Sequence, residues 1–194
     1  QGQNKRTLRS KVRQQRRLLS IRQQKQASAK LLSRLKTNNL LLQHRHIALY
    51  LANDGEICPA RLITMLWQFK KYAYLPVIHP LDKQRIVFCK ITAKTKFTKN
   101  RYGIKEPVFK DNRKLPARFL SLVLMPLVAF DDHGNRMGMG GGFYDRSFAF
   151  KQQRPNTRPK LIGLAHDFQK QESLPLEPWD VPLHSVITDR AYYT

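Results

Sequence analysis

Residues 122–146 read LVLMPLVAFDDHGNRMGMGGGFYDR, and this stretch decides the fold class. It opens on a nine-residue, almost unbroken apolar run, which makes Leu120–Phe130 the best candidate for a central strand buried on both faces. Five of the nine glycines in the chain follow, between Gly134 and Gly142. Phe143 to about Lys151 then has the pattern of a helix. The stretch therefore predicts a strand, a glycine-rich loop and a helix in direct succession.

The alternation of strands and helices extends to both sides of this stretch. Good helix formers predict a first helix from Lys5 to about Gln26, and Ser28 is a candidate cap for a second helix through about Lys36. Pro59 suits the first turn of a helix that runs to about Lys71. Short apolar runs predict strands at His46–Ala52, Ala73–Ile78, Arg85–Ile91, Lys160–His166 and Ser185–Thr188. The segment Thr92–Arg118 is polar and is expected to be irregular.

This order of elements predicts the architecture. Strands that alternate with helices form a mostly parallel sheet that is covered on both faces. We therefore expect an α/β protein, a three-layer α/β/α fold of Rossmann-like type with the N-terminal helices packed on the sheet. The length of 194 residues fits a single domain, 1–194, and an apolar content of 41% argues against disorder.

The charge is large and unevenly placed. Lys and Arg number 36 against 13 Asp and Glu, which gives a net charge of +23. Thirteen of the cations precede the first acidic residue, Asp54. A field of this kind attracts polyanions such as nucleic acids, nucleotide phosphates or ligands with several carboxylates. The alternative is that these side chains only solvate a helix face, so charge alone does not decide the function.

Other functional classes are disfavoured by composition. No apolar run approaches the roughly 20 residues of a membrane-spanning helix, so no membrane partner is expected. The basic N-terminal segment is not followed by the apolar block of a signal peptide. Cys58 and Cys89 have no CxxC spacing and cannot form a disulfide framework. The expected location is the cytoplasm.

The glycine-rich loop is the first candidate site. Between a buried strand and a helix start, residues without side chains let backbone N–H groups approach an anion, and the helix dipole adds positive potential. The loop is neither a Walker loop nor a full GxGxxG motif, since Phe143 stands at the position of the last glycine. The alternative is a tight turn that needs positive φ angles.

Two further features are compatible with a phosphate ligand. Lys5 and Arg9 lie four residues apart on the predicted first helix, so both side chains leave the same face and could clamp a polyphosphate. Asp145, just inside the helix after the glycines, could bind Mg²⁺ beside the phosphates. The alternatives are a solvated helix face for the pair and a helix-stabilising acid for Asp145.

These residues resemble a known family. The segment Leu122–Arg146, with Val-Ala-Phe-Asp, Gly, Arg and Gly-Gly-Gly-Phe-Tyr-Asp-Arg in order, is similar to the signature of the 5-formyltetrahydrofolate cyclo-ligase family. The resemblance covers almost the whole chain. Its other segments are Lys5–Arg9, Ile47–Tyr50 with Gly55–Ile57, Tyr102–Pro107, Ile162–Ala165 and Trp179–Pro182.

The resemblance implies an activity and a set of roles. The family converts 5-formyltetrahydrofolate to 5,10-methenyltetrahydrofolate with ATP and Mg²⁺, releasing ADP and phosphate. Catalytic roles would fall to Tyr144 and Arg146, Mg²⁺ binding to Asp145 and Asp180. The residues implied in ATP binding are Lys5, Arg9, Arg136, Gly138, Met139, Gly140, Gly141, Gly142, Phe143, Tyr144, Asp145 and Arg146. Those implied in folate binding are Glu56, Tyr102, Gly140, Gly141, Gly142, Phe143 and Tyr144.

Other readings of the chain remain open at this point. A basic nucleic-acid-binding protein on the same fold is the main alternative, although aromatic residues do not alternate with the N-terminal charges as they do in many such proteins. Folate storage without turnover is another. The partners implied are small molecules, and the expected oligomeric state is a monomer. A solitary acid such as Glu56 after a turn, or an exposed aromatic such as Tyr102, needs no ligand to explain it.

Three positions depart from the family pattern. Met139 stands where many relatives have a basic or aromatic residue. His184 stands where they often have a second acid, so no metal role is assigned to it. His166 replaces a common aromatic residue, and a lone histidine in a strand is more often structural than catalytic.

Overall fold

The fold is that of a computed structural model, which describes residues 4–110 and 112–194. Residues 1–3 at the start of the predicted domain, and Asp111 within the segment predicted to be irregular, lie outside this description. The helices are α1 Lys5–Leu18, α2 Ile21–Thr37, α3 Ala60–Gln68, α4 Phe143–Phe148 and α5 Phe150–Gln153. The strands are β1 His46–Ala48, β2 Tyr72–Ile78, β3 Ile86–Ile91, β4 Phe97–Lys99, β5 Lys105–Pro107, β6 Lys114–Leu115, β7 Leu122–Pro126, β8 Ala129–Phe130, β9 Arg136–Met137, β10 Lys160–Ala165, β11 Ser185–Thr188 and β12 Tyr192–Tyr193.

An eight-stranded sheet forms the centre, in the order β12-β11-β10-β7-β1-β2-β3-β6. The five strands β11, β10, β7, β1 and β2 are parallel, and antiparallel strands lie only at the two edges. The predicted mostly parallel sheet is therefore confirmed, and β7 is a central strand as expected.

Side-chain alternation along β7 explains the three layers. Leu122 and Leu124 pack in the core that contains α2 and α3, whereas Val123 and Met125 pack in the core that contains Phe148 of α4. All four are buried, which is why the strand is apolar at consecutive positions. Helix α1 lies apart from both layers and packs its Leu8 and Val12 against β8 and β9.

The predicted boundary between the two N-terminal helices is wrong, whereas the start at Lys5 and the end near Lys36 agree with the structure. The first helix ends at Leu18, and Ser20 begins α2 because its side chain and that of Gln23 form a reciprocal capping box. Ser28, the predicted cap, lies inside α2, where its hydroxyl accepts a hydrogen bond from the N–H of Cys58 at 3.2 Å. A good cap at Ser20 thus ends one helix and starts the next.

Three further predictions need correction. The strand expected over Leu120–Phe130 stops at Pro126, and Ala129–Phe130 pairs instead with Arg136–Met137 in a small hairpin. The helix expected after Phe143 is two short helices. The segment expected to be irregular contains the β4–β5 hairpin and the edge strand β6. Among the described residues, no helix is long and apolar enough to cross a membrane.

Candidate active site

A cavity of about 700 Å³ lies at the carboxyl ends of the central strands. Its walls include residues that directly follow β1 and β7, which are neighbours in the sheet. The chain leaves β1 towards β2 on one side and leaves β7 towards β10 on the other. Such a reversal opens a crevice beyond the strand ends, which is the usual place for a ligand in an open α/β sheet.

Helix α1 lines one part of the cavity with cations. Lys5, Arg9 and Arg13 follow one another at intervals of four residues and all reach the cavity wall. Arg9 donates from its Nε to the carbonyl oxygen of Gly138 at 2.8 Å, which joins the helix to the glycine-rich loop. Leu8 and Val12, on the neighbouring face of α1, are buried and anchor the helix in the orientation that directs these three cations to the cavity wall.

The glycine-rich loop forms the adjoining wall. Gly140 and Gly142 have φ angles of +100° and +63°, which disfavour residues with side chains. In the described part of the chain, the N–H groups of Gly140, Gly141 and Gly142 donate to no protein acceptor. Because α4 has only six residues, these free N–H groups rather than a long helix dipole would attract an anion.

Two carboxylates stand beside these groups, and each is held by a cation. Asp145 Oδ1 lies 2.5 Å from Arg136 Nη2 and accepts a hydrogen bond from the N–H of Val181 at 3.2 Å. Asp180 Oδ2 lies 3.5 Å from Lys5 Nζ, which also lies 3.2 Å from Glu177 Oε1. The predicted phosphate and metal ligands are therefore brought together.

The donor set decides which metal the site can accept. Among residues 4–110 and 112–194, no group of three or more His, Cys, Asp or Glu side chains is arranged to hold a metal ion. Asp145 and Asp180 supply only hard oxygen ligands. Mg²⁺ is commonly bound by one or two carboxylates, substrate phosphates and water. The residues therefore fit Mg²⁺ that is held jointly with a phosphate ligand.

Aromatic residues and one acid line the rest of the cavity. Tyr102, at the tip of the β4–β5 hairpin, packs edge-on against Phe143 with ring centroids 6.1 Å apart. Tyr50 and Tyr144 also line the wall, together with Glu56. Glu56 Oε2 accepts a hydrogen bond from the N–H of Asn53 at 3.0 Å within the turn that follows β1.

Burial sets the protonation of these groups. It raises the pKa of Glu56 to about 7, so this carboxyl titrates near neutrality. Burial, with the nearby charge of Glu56, also raises the pKa of the Tyr144 phenol and the Tyr50 phenol well above the usual range. Both phenols therefore remain protonated at neutral pH, and Tyr50 donates to the carbonyl oxygen of Ile57 at 2.6 Å.

The turn that carries Glu56 is attached to α1 by Asp54. The Asp54 carboxylate accepts from Arg13 Nε at 2.7 Å and from Arg16 Nη2 at 2.8 Å, and Arg17 also pairs with it. Although burial favours its neutral form, these hydrogen bonds lower the pKa of Asp54 to about 2. This four-residue cluster joins the cationic helix to the wall that bears Glu56.

Arg146 is the predicted site residue that does not reach the cavity wall. Its Nε donates to the carbonyl oxygen of Gln84 at 2.8 Å, and its Nη2 donates to the carbonyl oxygen of Gly141. The guanidinium carbon lies 5.6 Å from the ring centre of Phe143. Arg146 thus holds the glycine loop from outside.

The three departures from the family pattern have different surroundings. Met139 lines the cavity, and its sulfur accepts a hydrogen bond from Arg16 Nη2 at 3.8 Å. His184 accepts the N–H of Leu161 at 3.1 Å and does not line the cavity. His166 is buried, with Nε2 3.1 Å from the carbonyl oxygen of Gly55, as expected for a structural histidine.

The cavity residues that were not predicted from the sequence include four with charged or aromatic side chains near the predicted ones: Arg13, Glu106, Glu177 and Trp179. Continuing the four-residue interval from Lys5 and Arg9 would have found Arg13. The proximity of Glu177 and Trp179 to Asp180 in the sequence was the available signal for those two. Glu106 bridges elements, because its Oε2 accepts from Asn100 Nδ2 at 3.1 Å and from the N–H of Ile78 at 3.4 Å.

Comparisons with known proteins agree with this geometry. A family model described as the 5-formyltetrahydrofolate cyclo-ligase family matches residues 1–189. The 5-formyltetrahydrofolate cyclo-ligase of Escherichia coli (strain K12) is 39% identical over 91% of this chain and 96% of its own length. The enzyme of that name from Haemophilus influenzae is 40% identical over 95% and 97%. The NMR structure of Aquifex aeolicus 5,10-methenyltetrahydrofolate synthetase superposes with a TM-score of 0.83 at 28% identity, covering 97% of this chain and 91% of that one.

Proposed function

Because this chain belongs to the 5-formyltetrahydrofolate cyclo-ligase family, we propose that it converts 5-formyltetrahydrofolate to 5,10-methenyltetrahydrofolate in an ATP- and Mg²⁺-dependent reaction that releases ADP and phosphate. One observation carries the proposal. The same glycine-rich loop joins two walls of a single cavity. The cationic wall consists of Lys5, Arg9 and Arg13, and the aromatic wall consists of Glu56 and the rings of Tyr50, Tyr102, Phe143 and Tyr144. A nucleotide and a reduced pterin could therefore meet there.

The chemical difficulty lies in the formyl group. Its oxygen is amide-like and is a poor leaving group. Transfer of the γ-phosphoryl group to this oxygen releases ADP and converts the oxygen into a phosphate leaving group. The folate N10 then attacks the formyl carbon, phosphate departs with that oxygen, and the N10 proton is lost as the ring closes. No protein nucleophile is needed, so the main tasks are positioning and charge stabilisation.

The cationic wall would hold ATP. Lys5 and Arg9 supply charge for the phosphates, and the free N–H groups of Gly140–Gly142 supply neutral donors. Arg136 keeps Asp145 oriented from a buried position. Asp145 and Asp180 would hold Mg²⁺, which when bound neutralises phosphate charge.

The aromatic wall would hold the folate. Glu56 in its ionised form suits the N–H donors of a pterin ring, and Tyr102 and Phe143 offer ring faces beside it. The protonated Tyr144 phenol can donate a hydrogen bond to the reacting oxygen. Arg146, which holds the carbonyl of Gly141, would contribute to catalysis by fixing the loop rather than by touching substrate.

A product assay tests the proposal. The purified protein should form the methenyl chromophore from 5-formyltetrahydrofolate only when ATP and Mg²⁺ are both present, with one ADP released per product. Omission of either, or replacement of ATP by a non-hydrolysable analogue, should abolish the signal. Tight binding of both ligands without product would instead indicate folate storage and would contradict the proposal.

A further inference from the structure

Trp179 is an exposed aromatic residue on the cavity wall. Its relative exposure is 62%, although the residue lines the cavity. The other tryptophan, Trp67, is partly buried against the main core. An indole is a large apolar surface that proteins normally bury. Its exposure on a cavity wall therefore indicates that a bound ligand covers it.

The turn that carries this ring is fixed. The N–H of Asp180 donates to the carbonyl oxygen of Glu177 at 3.0 Å, which closes a β-turn with Pro178 and Trp179 at its centre. The N–H of Glu177 donates to Asp180 Oδ2 at 2.8 Å. Gln152 Nε2 of α5 donates to the carbonyl oxygen of Pro178 at 3.1 Å. The ring is thus presented by a tightly held backbone.

The same turn is joined to the cationic wall through Lys5. Lys5 Nζ lies within 3.2 Å of Glu177 and 3.5 Å of Asp180, the residues on either side of Pro178 and Trp179. Glu56 and Tyr102, which are proposed for the folate, come from other segments, namely the turn after β1 and the β4–β5 hairpin. The indole therefore belongs to the nucleotide part of the cavity.

The ring also has a free face. Within residues 4–110 and 112–194, Trp179 forms no aromatic pair and no cation lies over it. Tyr102, by contrast, is packed against Phe143 and carries Arg101 over its ring. A free aromatic face beside a polyphosphate site is complementary to the flat base of a nucleotide.

We propose that Trp179 stacks on the base of the bound nucleoside triphosphate, so that the Glu177–Asp180 turn grips the base and the phosphates together. This inference rests on the proposed function, since it assigns a further binding residue to the same site. Removal of a stacking side chain weakens binding of a base by about 5- to 150-fold.

Inorganic tripolyphosphate provides the test, because it has the phosphates of ATP but no base. Calorimetry in Mg²⁺ should show Trp179→Ala weakening ATP binding by about 5- to 150-fold while tripolyphosphate binding stays unchanged. Trp179→Phe should recover most of the ATP affinity. Phe119→Ala, which removes a similarly exposed ring outside the cavity wall, should change neither affinity.

Tryptophan emission gives an independent readout. ATP should change the emission of the wild-type protein, and this change should be lost in Trp179→Phe, which retains only Trp67. If Trp179→Ala weakens the binding of ATP and of tripolyphosphate equally, or leaves ATP binding undiminished, the stacking role alone is overturned. Failure of the wild-type protein to bind ATP would overturn the proposed function and this inference with it.

Discussion

Replacement of Arg9 is the most direct test of phosphate binding by the cationic wall. Its Nε bonds only to a loop carbonyl, so its loss leaves no buried charge without a partner. Asp145 is a less direct choice, since its removal would also leave the guanidinium of Arg136, whose side chain is 5% exposed, without its carboxylate.

Arg9→Ala should lower kcat/KM for ATP by about 100-fold or more, because a preorganised charged donor to the phosphates is lost. Steady-state kinetics at saturating 5-formyltetrahydrofolate measures this change. Arg6→Ala on the exposed face of the same helix is the matched control and should behave as wild type. A wild-type kcat/KM for ATP in Arg9→Ala would refute the assignment of phosphate binding to the cationic wall.

Glu56 should make folate binding depend on pH. Its pKa is raised by burial to about 7, so the carboxylate that suits pterin N–H donors predominates only above that pH. The KM for 5-formyltetrahydrofolate should therefore rise as the pH falls from 8 to 6, while kcat changes less.

Glu56→Gln should remove this ionisation from the pH profile and should raise the KM at pH 8 to the acid value or above it. Glu172→Gln, at an exposed position outside the cavity wall, is the control and should retain the wild-type profile. An unchanged profile in Glu56→Gln would show that another group titrates.

At the scale of elements, the attachment of α1 to the turn after β1 depends on Asp54. Arg16 is fully buried, and its Nη2 has Asp54 as its anionic partner at 2.8 Å. Its Nη1 donates to the carbonyl oxygen of Leu127 at 3.2 Å. Breaking a buried pair on one side leaves the other charge without compensation, at a cost of about 3–5 kcal/mol.

Asp54→Asn should therefore lower the free energy of unfolding by about 3 kcal/mol, as measured by urea denaturation at neutral pH. Because the pKa of Asp54 is lowered from 3.8 to about 2, the wild-type advantage should be fully present above pH 4 and lost as the pH falls towards 2.

Asp82→Asn is the matched control for this cluster. Its pair with Arg85, at 3.3 Å, is exposed on both sides, so its loss should change stability by less than about 0.5 kcal/mol. A similarly small effect of Asp54→Asn would mean that the cluster does not hold α1 in place.

At the scale of the whole molecule, part of the net charge of +23 is engaged in contacts within the protein. Five cations of α1 are engaged within the protein: Lys5 with Glu177 and Asp180, Arg9 with Gly138, and Arg13, Arg16 and Arg17 with Asp54. These side chains are not displayed as a free basic stripe, and this favours the enzyme over the nucleic-acid-binding alternative.

We therefore expect duplex DNA to bind weakly, with an affinity that falls steeply with salt, and to leave the turnover rate unchanged at about 0.15 M salt. Fluorescence anisotropy of a labelled duplex, measured beside the product assay, tests this. Tight duplex binding at about 0.15 M salt that inhibits turnover, and that weakens steeply as salt is raised further, would contradict it and would revive the alternative. The expected monomeric state stays a prediction.

How far the sequence predicts the structure differs between elements. The strand β7 was recognisable because burial on both faces makes its consecutive residues apolar. The break between α1 and α2 was missed because good helix formers continue across it, and the capping box of Ser20 and Gln23 decides it. The β4–β5 hairpin was missed because its strands are short and largely exposed, so they lack an alternating apolar pattern.

The sequence by itself determined the layered α/β fold and most of the chemistry of the cavity wall: the glycines, Lys5, Arg9, Asp145 and Asp180. Local patterns record the glycines, Lys5, Arg9 and Asp145, because spacing fixes which face of an element is buried and which residue types can meet a phosphate. Asp180 was implied by the resemblance to the family and not by its spacing. Only the tertiary structure placed Trp179 beside the cationic wall and Arg146 behind the glycine-rich loop. Lys5 and Glu177 lie 172 residues apart, and Arg16 and Asp54 lie 38 apart. Contacts at such separations follow from strand order and packing, which no local spacing encodes.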